Sequence, residues 1–320
     1  MTVRAGTTRW VLGRLAGASG TVVVASVVVY AALQLVPGDP LATLTGGKRL
    51  TESQLDVLRQ TYGLDKGFVA GYLDWAGHVA RFDLGTSSVY QDSVNSLLAS
   101  RLPVSLALIG YAAVVTVVLG LGVAVVSAVA GRRTATLATV LTSGAAATPP
   151  FVAVIVLLAV FSVGLGWFPV TGAGSGFLDR VWHLTLPAVA MAIAAFGVLA
   201  RVGQAAFADQ LRREHVEVAR SRGVGRAAVL RRHVVRNSLG PVVTVVGLLL
   251  ASLFVGTAVV ETAFGINGIG AFLVSSVSRQ DFPVVQAVSL LAVVVFVVIS
   301  TAVDLLLPVL DPQLRPAVTR

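Results

Sequence analysis

Few side chains in this 320-residue chain could do chemistry, and their spacing argues against most of it. There is no cysteine, which removes disulfides, thiol nucleophiles and thiolate metal ligands from consideration. The four histidines are His78, His183, His215 and His233. No two of them stand at the separation that sets a pair of imidazoles on one helical face around a metal, so no metal site is expected. Gly46-Gly47-Lys48 is not a phosphate-binding loop: the upstream glycine is missing, and Arg49 stands where a serine or threonine would hold magnesium. Gly172-Ala173-Gly174-Ser175-Gly176 surrounds a serine with glycines but lacks the spacing of a nucleophile elbow, and reads as a flexible turn. Two acids, Glu261 and Asp304, fall at the edges of apolar windows, where a charge is costly and often functional. For Glu261 the expectation is a structural hydrogen bond in the turn that follows it, with contact to a substrate as the alternative. For Asp304 it is a pairing with an arginine at the same end of the bundle. No catalytic, cofactor-binding or metal-binding residue is expected, and the chain is not expected to be an enzyme.

The elements that position these residues follow from the solvent. Mean hydropathy is +0.86, and 56% of residues are hydrophobic while only 12% are charged. A water-soluble domain carries roughly 25% charged residues, so lipid must solvate much of this surface. The net charge of +9 accumulates beside apolar spans. That is the lysine–arginine bias of membrane proteins rather than a nucleic-acid footprint.

Uncharged windows mark about six spans, each needing about 20 apolar residues. They run from Arg14 to Asp39, from Arg101 to Arg132, from Arg133 onward, from Arg180 to Arg201, from Arg236 to Glu261, and from Asp281 to Asp304. The third stays uncharged to Asp179, too far for one helix. Pro149-Pro150 is expected to kink it and Gly164-Leu165-Gly166-Trp167-Phe168-Pro169 to end it. Gly120, Gly122 and Gly144-Ala145-Ala146-Ala147 are small enough for spans to approach closely. Six spans put both termini on one side. Arg4, Arg9 and Arg14, the pair Arg132-Arg133, and the arginines from Arg201 to Arg236 all fall on that side, which the positive-inside rule makes the cytoplasm.

The expected division is a cytoplasmic N-terminus at 1–14, a first span at 15–37 and an extracytoplasmic segment at 38–100. A five-helix core at 101–308 follows, with a cytoplasmic loop at 204–237, and a cytoplasmic C-terminus closes the chain at 309–320. The first span is read as uncleaved, because its apolar run is long and no small-x-small site follows it.

Within the outer segment, Thr51-Glu52-Ser53-Gln54 fits a capping box before Leu55, Leu58 and Tyr62, with Gly63 as a C-cap. Phe68, Tyr72, Trp75, Val79 and Phe82 then recur at intervals of four and three, a helical stripe. Two short amphipathic helices follow. They either rest on the bundle or the membrane surface, or form a docking platform for an outside partner.

The stretch from Gln204 to Pro241 stands apart, because structured loops of this length are usually functional. It reads as a helix over Asp209 to Arg222, a break at Gly223 and Gly225, and a helix over Ala227 to Arg236 before Pro241 opens the fifth span. A short amphipathic helix held beyond the membrane suits a groove on a soluble partner. A basic helix lying on anionic headgroups is the other reading.

Glu217-Val218-Ala219-Arg220-Ser221-Arg222-Gly223, with Pro241 eighteen residues beyond that glycine, resembles the EAA loop of ABC importer permeases. Val218 stands where the motif has alanine, and Ser238-Leu239-Gly240-Pro241 replaces its usual ending. The chain further resembles, almost end to end, the B-type permeases of the dipeptide, oligopeptide and nickel importers. The matching pieces are Pro37-Gly38-Asp39-Pro40, Tyr62-Gly63-Leu64-Asp65, Asp83-Leu84-Gly85-Thr86-Ser87, Arg101-Leu102-Pro103 and His183-Leu184-Thr185-Leu186-Pro187-Ala188. They continue with Arg232-His233, Arg236-Asn237, Val260-Glu261-Thr262-Ala263-Phe264-Gly265, Gly268-Ile269-Gly270, Asp281-Phe282-Pro283-Val284-Val285-Gln286, Val303-Asp304-Leu305-Leu306 and Asp311-Pro312.

The resemblance implies an all-α integral membrane protein, a type I importer permease-like bundle with an extracytoplasmic insertion after the first span, in a bacterial or archaeal cell membrane. It implies half of a translocation pathway for peptides or a related small solute such as nickel. Residues Glu217, Val218, Ala219, Arg220, Ser221, Arg222 and Gly223 would couple it to an ATPase. The implied partners are a second homologous permease, cytoplasmic ATP-binding subunits, an extracytoplasmic substrate-binding protein and membrane lipid, with no nucleic acid. ATP and magnesium would be bound by the ATPase and no cofactor by this chain. The alternative is an ion-coupled secondary transporter. That class usually shows mid-membrane ionisable residues or an internal repeat, and neither is visible here.

Overall fold

The computed structural model describes residues 2–34 and 67–310. Its described residues are helical apart from turns and one isolated bridge between Thr86 and Ser93. The elements are α1 (Thr2–Gln34), α2 (Phe68–Ala80), α3 (Val94–Val129), α4 (Arg132–Ala147), α5 (Pro150–Gly164), α6 (Phe177–Leu211), α7 (Glu214–Ser221), α8 (Arg226–Ala263), α9 (Ile269–Ser278) and α10 (Phe282–Leu310). Among them α1, α3, α6, α8 and α10 are each long and apolar enough to cross a membrane, and the bent pair α4–α5 brings the number to six when it is counted as one span. Pro37-Gly38-Asp39-Pro40, the capping box with Leu55, Leu58, Tyr62 and Gly63, and Asp311-Pro312 lie outside the described residues.

The spans run further than the uncharged windows. Helix α3 begins at Val94, where Ser93 Oγ accepts the Ser96 N–H at 3.1 Å. Its first turns stay helical before Arg101 because Val94, Leu97 and Leu98 are buried against neighbouring helices. Helix α6 sits at the centre, packed on α3, α4 and α8. Its crossing with α4 is close at Gly197, where a Cβ would stand 2.6 Å from both Ala146 N and Thr142 O. Ala145 and Ala146 therefore supply the small surface expected of the Gly144–Ala147 run, whereas Gly122 and Gly144 face open space.

The third span is broken rather than kinked. Helices α4 and α5 meet at 101°. Neither Pro149 nor Pro150 has an N–H to donate back to α4, so the ladder stops. Thr148 satisfies part of the end: its N–H reaches Ala145 O at 3.1 Å and its hydroxyl reaches Gly144 O at 2.9 Å. Pro150 then occupies the first position of α5, where a missing N–H costs nothing. The last turns of α5, from Leu158, widen into a π-helix that ends at Gly164, where the glycine-rich stretch was expected to end it.

Helix α2 is the second of the two short amphipathic helices expected after the first span. Tyr30 of α1 receives Phe68, Tyr72 and Trp75, with ring centroids 5.7, 5.7 and 5.5 Å away, and Ser26 Oγ lies 2.9 Å from the Tyr72 hydroxyl. The helix rests on the end of the first span. It ends at Ala80, two residues before the expected stripe does: Phe82 has a positive φ of 60° and is 85% exposed. At the other end of α1, Arg14 Nη1 meets Asp304 Oδ2 of α10 at 3.0 Å, the pairing expected for that acid.

Candidate functional site

Two places gather polar side chains, one at each end of the bundle. At the first, α6 stops at Leu211, earlier than a helix over Asp209 to Arg222 would require. Arg213 takes an extended backbone and its guanidinium turns back to Asp209 Oδ2 at 3.0 and 3.2 Å. Helix α7 starts afresh with Glu214 and Glu217 in its first turn and Arg220 in its last, charges that complement its dipole. It stops in a Schellman turn: Gly223 N–H donates to Arg220 O at 2.9 Å and Val224 N–H to Ala219 O at 3.1 Å. Gly223 carries the left-handed φ of 79° that this turn needs.

Spacing of three puts Val216 and Ala219 on one face of α7. That face is buried against Ala124, Phe207, Val229 and Val234. Glu217, Val218, Arg220, Ser221, Arg222 and Gly223 are all exposed. Helix α8 begins at Arg226, passes through a π turn at Leu230–Val235 and a 3-10 turn at Arg236–Ser238, and continues to Ala263. The expected separate helix from Ala227 to Arg236 is thus the start of one rod. Pro241 falls near the start of its regular stretch, Leu239–Ala263, immediately after the irregular turns that relieve the proline ring. His215 and His233 come together, with rings 6.1 Å apart and Asn237 Nδ2 3.3 Å from His215 Nε2. Among the described residues no group of three metal-ligating side chains exists.

At the opposite end, Glu261 is completely buried. Ser105 Oγ donates to its Oε1 at 2.6 Å, and Ala271 N–H donates to its Oε2 at 3.0 Å. Ser105 Oγ also accepts the Ile269 N–H at 2.8 Å, so one hydroxyl and one carboxylate satisfy the free N–H groups that open α9. Asp281 is also fully buried; it receives Ser87 Oγ at 2.5 Å, and Ser88 N–H and Oγ at 3.2 Å each. Arg101 lies over Phe272, its guanidinium carbon 4.2 Å from the ring centroid. Sequence reasoning placed Glu261 but missed Ser105, α9 and the serine cradle of Asp281. Ser105 gave one signal, a hydroxyl inside an apolar window.

The described residues form five or six candidate spans with one short amphipathic helix held beyond their end. The chain belongs to the family of binding-protein-dependent transport system inner membrane components, whose model matches residues 96–316, and the N-terminal component of the same systems matches residues 7–109. It is a permease subunit of an ABC importer and not an enzyme. Among relatives, the glutathione transport system permease protein GsiC of Salmonella typhimurium is 34% identical over 96% of this chain and 98% of its own. GsiC of Pectobacterium atrosepticum is 35% identical over 94% of this chain and 97% of its own. The fold is shared with the MetNI methionine ABC transporter in its inward-facing form, at TM-score 0.55 and 17% identity over 67% of this chain and 96% of that one. It is also shared with an amino acid ABC transporter, at TM-score 0.52 and 18% identity over 66% and 93%.

Proposed function

We propose that this permease forms half of a pathway for short peptides, pairing with a second homologous permease in the lipid bilayer, and that α7 is the element through which an ATPase drives it. A related small solute such as nickel is the other cargo compatible with the reading. The relatives named for glutathione transport support a peptide-like cargo. ATP and magnesium are bound by the ATPase subunits on the α7 side, which the arginine distribution assigns to the cytoplasm, along with residues 1–14, the loop 204–237 and residues 309–320. Residues 15–37 are the first span, 38–100 face outward toward the substrate-binding protein, and 101–308 form the core.

The observation that carries the coupling assignment is the two-faced α7. Val216 and Ala219 anchor it to the bundle while Glu217, Val218, Arg220, Ser221, Arg222 and Gly223 stand free to meet a groove. Ala219 is thereby assigned to holding the helix rather than touching the ATPase. Glu217 and the exposed apolar Val218 are assigned to the contact.

The test is Gly223→Val in the reconstituted importer. A β-branched residue at that φ costs about 1–2 kcal/mol and distorts the helix exit. The variant should insert and assemble with the second permease, yet lose uptake and substrate-stimulated ATP hydrolysis. Normal uptake by this variant refutes the assignment, and uptake that survives ATP depletion but collapses with an ion gradient replaces it with secondary transport.

A further inference from the structure

We propose that Arg201, on α6, stands in a water-filled route through the bilayer and offers its guanidinium to the carboxylate of the departing solute. Arg201 closes the fourth uncharged window of the sequence, yet α6 runs on past it to Leu211. Its depth follows from its neighbours on α3. A Cβ at Gly120 would stand 3.0 Å from Leu199 Cβ, and a Cβ at Gly203 would stand 2.8 Å from Ala124 Cβ. The two helices therefore run parallel and in step, with Arg201 level with Gly122 and Ala205 level with Val126. From Gly122, α3 continues to Val129, a distance of about 10 Å at about 1.5 Å per residue. Its large apolar side chains stay exposed to the end, Val126 at 50% and Val129 at 60%. Such a surface belongs in lipid, so Arg201 lies about 10 Å inside the hydrocarbon edge. Helix α8 gives a similar depth. Ser238 Oγ donates to Ala206 O at 3.3 Å, just before the regular apolar stretch Leu239–Ala263 begins, and Arg201 is about 7.5 Å deeper than Ala206 along α6.

At that depth Arg201 is exposed, and among the described residues it makes no hydrogen bond and no ion pair. The nearest acid along α6 on the cytoplasmic side is Asp209, two turns away, and it already holds Arg213 at 3.0 and 3.2 Å. Val198, Arg201, Ala205 and Ala208 recur at intervals of three and four and are all exposed, so they share one face of α6. Leu199 and Gly203 turn the opposite way and are buried on α3. The neighbours of Arg201 on its face are thus a valine and two alanines, none of which can screen its charge. An unpaired guanidinium is costly at hydrocarbon depth, and such groups face a water-filled cavity or an anion. Every short peptide ends in a carboxylate, which a planar guanidinium holds through two parallel hydrogen bonds.

The inference rests on the reading of this chain as half of a peptide pathway, and the test lets the two fail separately. The chain has no cysteine, so a single introduced thiol reports alone for this subunit. Ala205→Cys and Val126→Cys place that thiol at one depth on different helices, the first on the Arg201 face and the second on the apolar surface of α3. The complete importer in lipid nanodiscs is treated with sulfonatoethyl methanethiosulfonate, and the mass of this subunit is followed in time. Only a thiolate reacts, and it forms in water rather than in lipid, so Ala205→Cys should react about a hundredfold faster than Val126→Cys. Trialanine at saturation should slow the reaction at Ala205→Cys about tenfold, the effect of one charge-assisted contact, and trialanine amide should leave it unchanged. Adding Arg201→Gln should remove the protection, while Arg201→Lys, which keeps the charge without the planar fork, should weaken it.

Equal rates at the two thiols overturn the proposal, because the Arg201 face is then covered by lipid or by the second permease. Fast reaction at Ala205→Cys with equal protection by the acid and the amide, or with none, also overturns it: the route is wet, but Arg201 does not hold the solute. Protection that survives Arg201→Gln assigns the carboxylate to another group and overturns it too. Uptake by the unaltered complex that is indifferent to ATP counts against the importer reading alone, since the labelling does not depend on what drives transport.

Discussion

Replacing Ser105 with alanine tests the buried bridge that joins α3, α8 and α9. The hydroxyl is fully buried, donates to Glu261 Oε1 at 2.6 Å and accepts from Ile269 N–H at 2.8 Å. Alanine deletes both bonds at once. Ile269 N–H is left unpaired in the first turn of α9, which costs about 1–3 kcal/mol, and the carboxyl loses a hydrogen bond of about 1.5–3 kcal/mol. Ala271 N–H still reaches Glu261 Oε2, so the acid keeps one donor and the two losses partly overlap. The expected destabilisation is about 3–4 kcal/mol. Reversible unfolding in mixed micelles, followed by circular dichroism, measures it. Thr262→Ala is the control, since that exposed hydroxyl only bonds back to Ala258 O at 2.6 Å within its own helix and its loss is worth about 0.5 kcal/mol. Amide exchange at Ile269 and Ala271 should quicken in Ser105→Ala alone. A Ser105→Ala midpoint indistinguishable from the Thr262→Ala control would refute the bridge and with it the anchoring of α9.

Gly197→Ala should destabilise the bundle by about 1–3 kcal/mol, because the new methyl meets the backbone of α4 at Ala146 and Thr142 rather than a flexible side chain; a thermal melt in detergent reads it, and an unchanged melt would show that α4 and α6 do not touch there. The Asp83 carboxyl is held below its ordinary range first by the Gly85 N–H and then by His78. A depressed folded value means that its contribution is present above the unfolded value and lost as pH falls through the folded one, so exchange at the Gly85 amide should accelerate only below about pH 4, and Asp83→Asn should abolish the pH dependence. Arg14 and Asp304 are 52% and 35% exposed, so reversing either charge alone should cost no more than about 1 kcal/mol and reversing both should restore the melt; a loss that persists in the double variant would show that the pair is not the source of the effect.

The spans could be read because charge is scarce and its position is informative. Their ends could not, because α3, α6 and α8 continue past the hydrocarbon wherever a buried face such as Val94, Leu97 and Leu98 rewards it. The two prolines at Pro149 and Pro150 announced an interruption, but not that the two halves would meet at 101°. The α7 motif was visible as local sequence, and its glycine marked the helix end at which the structure finds a left-handed φ of 79° at Gly223. The division of its residues into anchored and free follows from the spacing of Val216 and Ala219 together with the cluster they enter. The opposite end stayed hidden. Glu261 stood out alone, while its partner Ser105 lies 156 positions away and Asp281 finds Ser87 at a distance of 194, separations over which no local pattern operates.

Helix α8 contains 38 residues, which at about 1.5 Å each gives a length of about 57 Å. The hydrocarbon layer takes up only about 30 Å of that, so nearly half of the rod extends beyond it. One end begins three residues past Gly223 and the other carries Glu261 two residues before its close. On the coupling proposed for α7, this rod is a lever with effort at one end and load at the other. A tilt of about 10° about its midpoint swings each tip by about 5 Å in opposite senses. Its irregular turns, from Leu230 to Ser238, lie near the α7 end, so the regular arm, Leu239–Ala263, is the longer one.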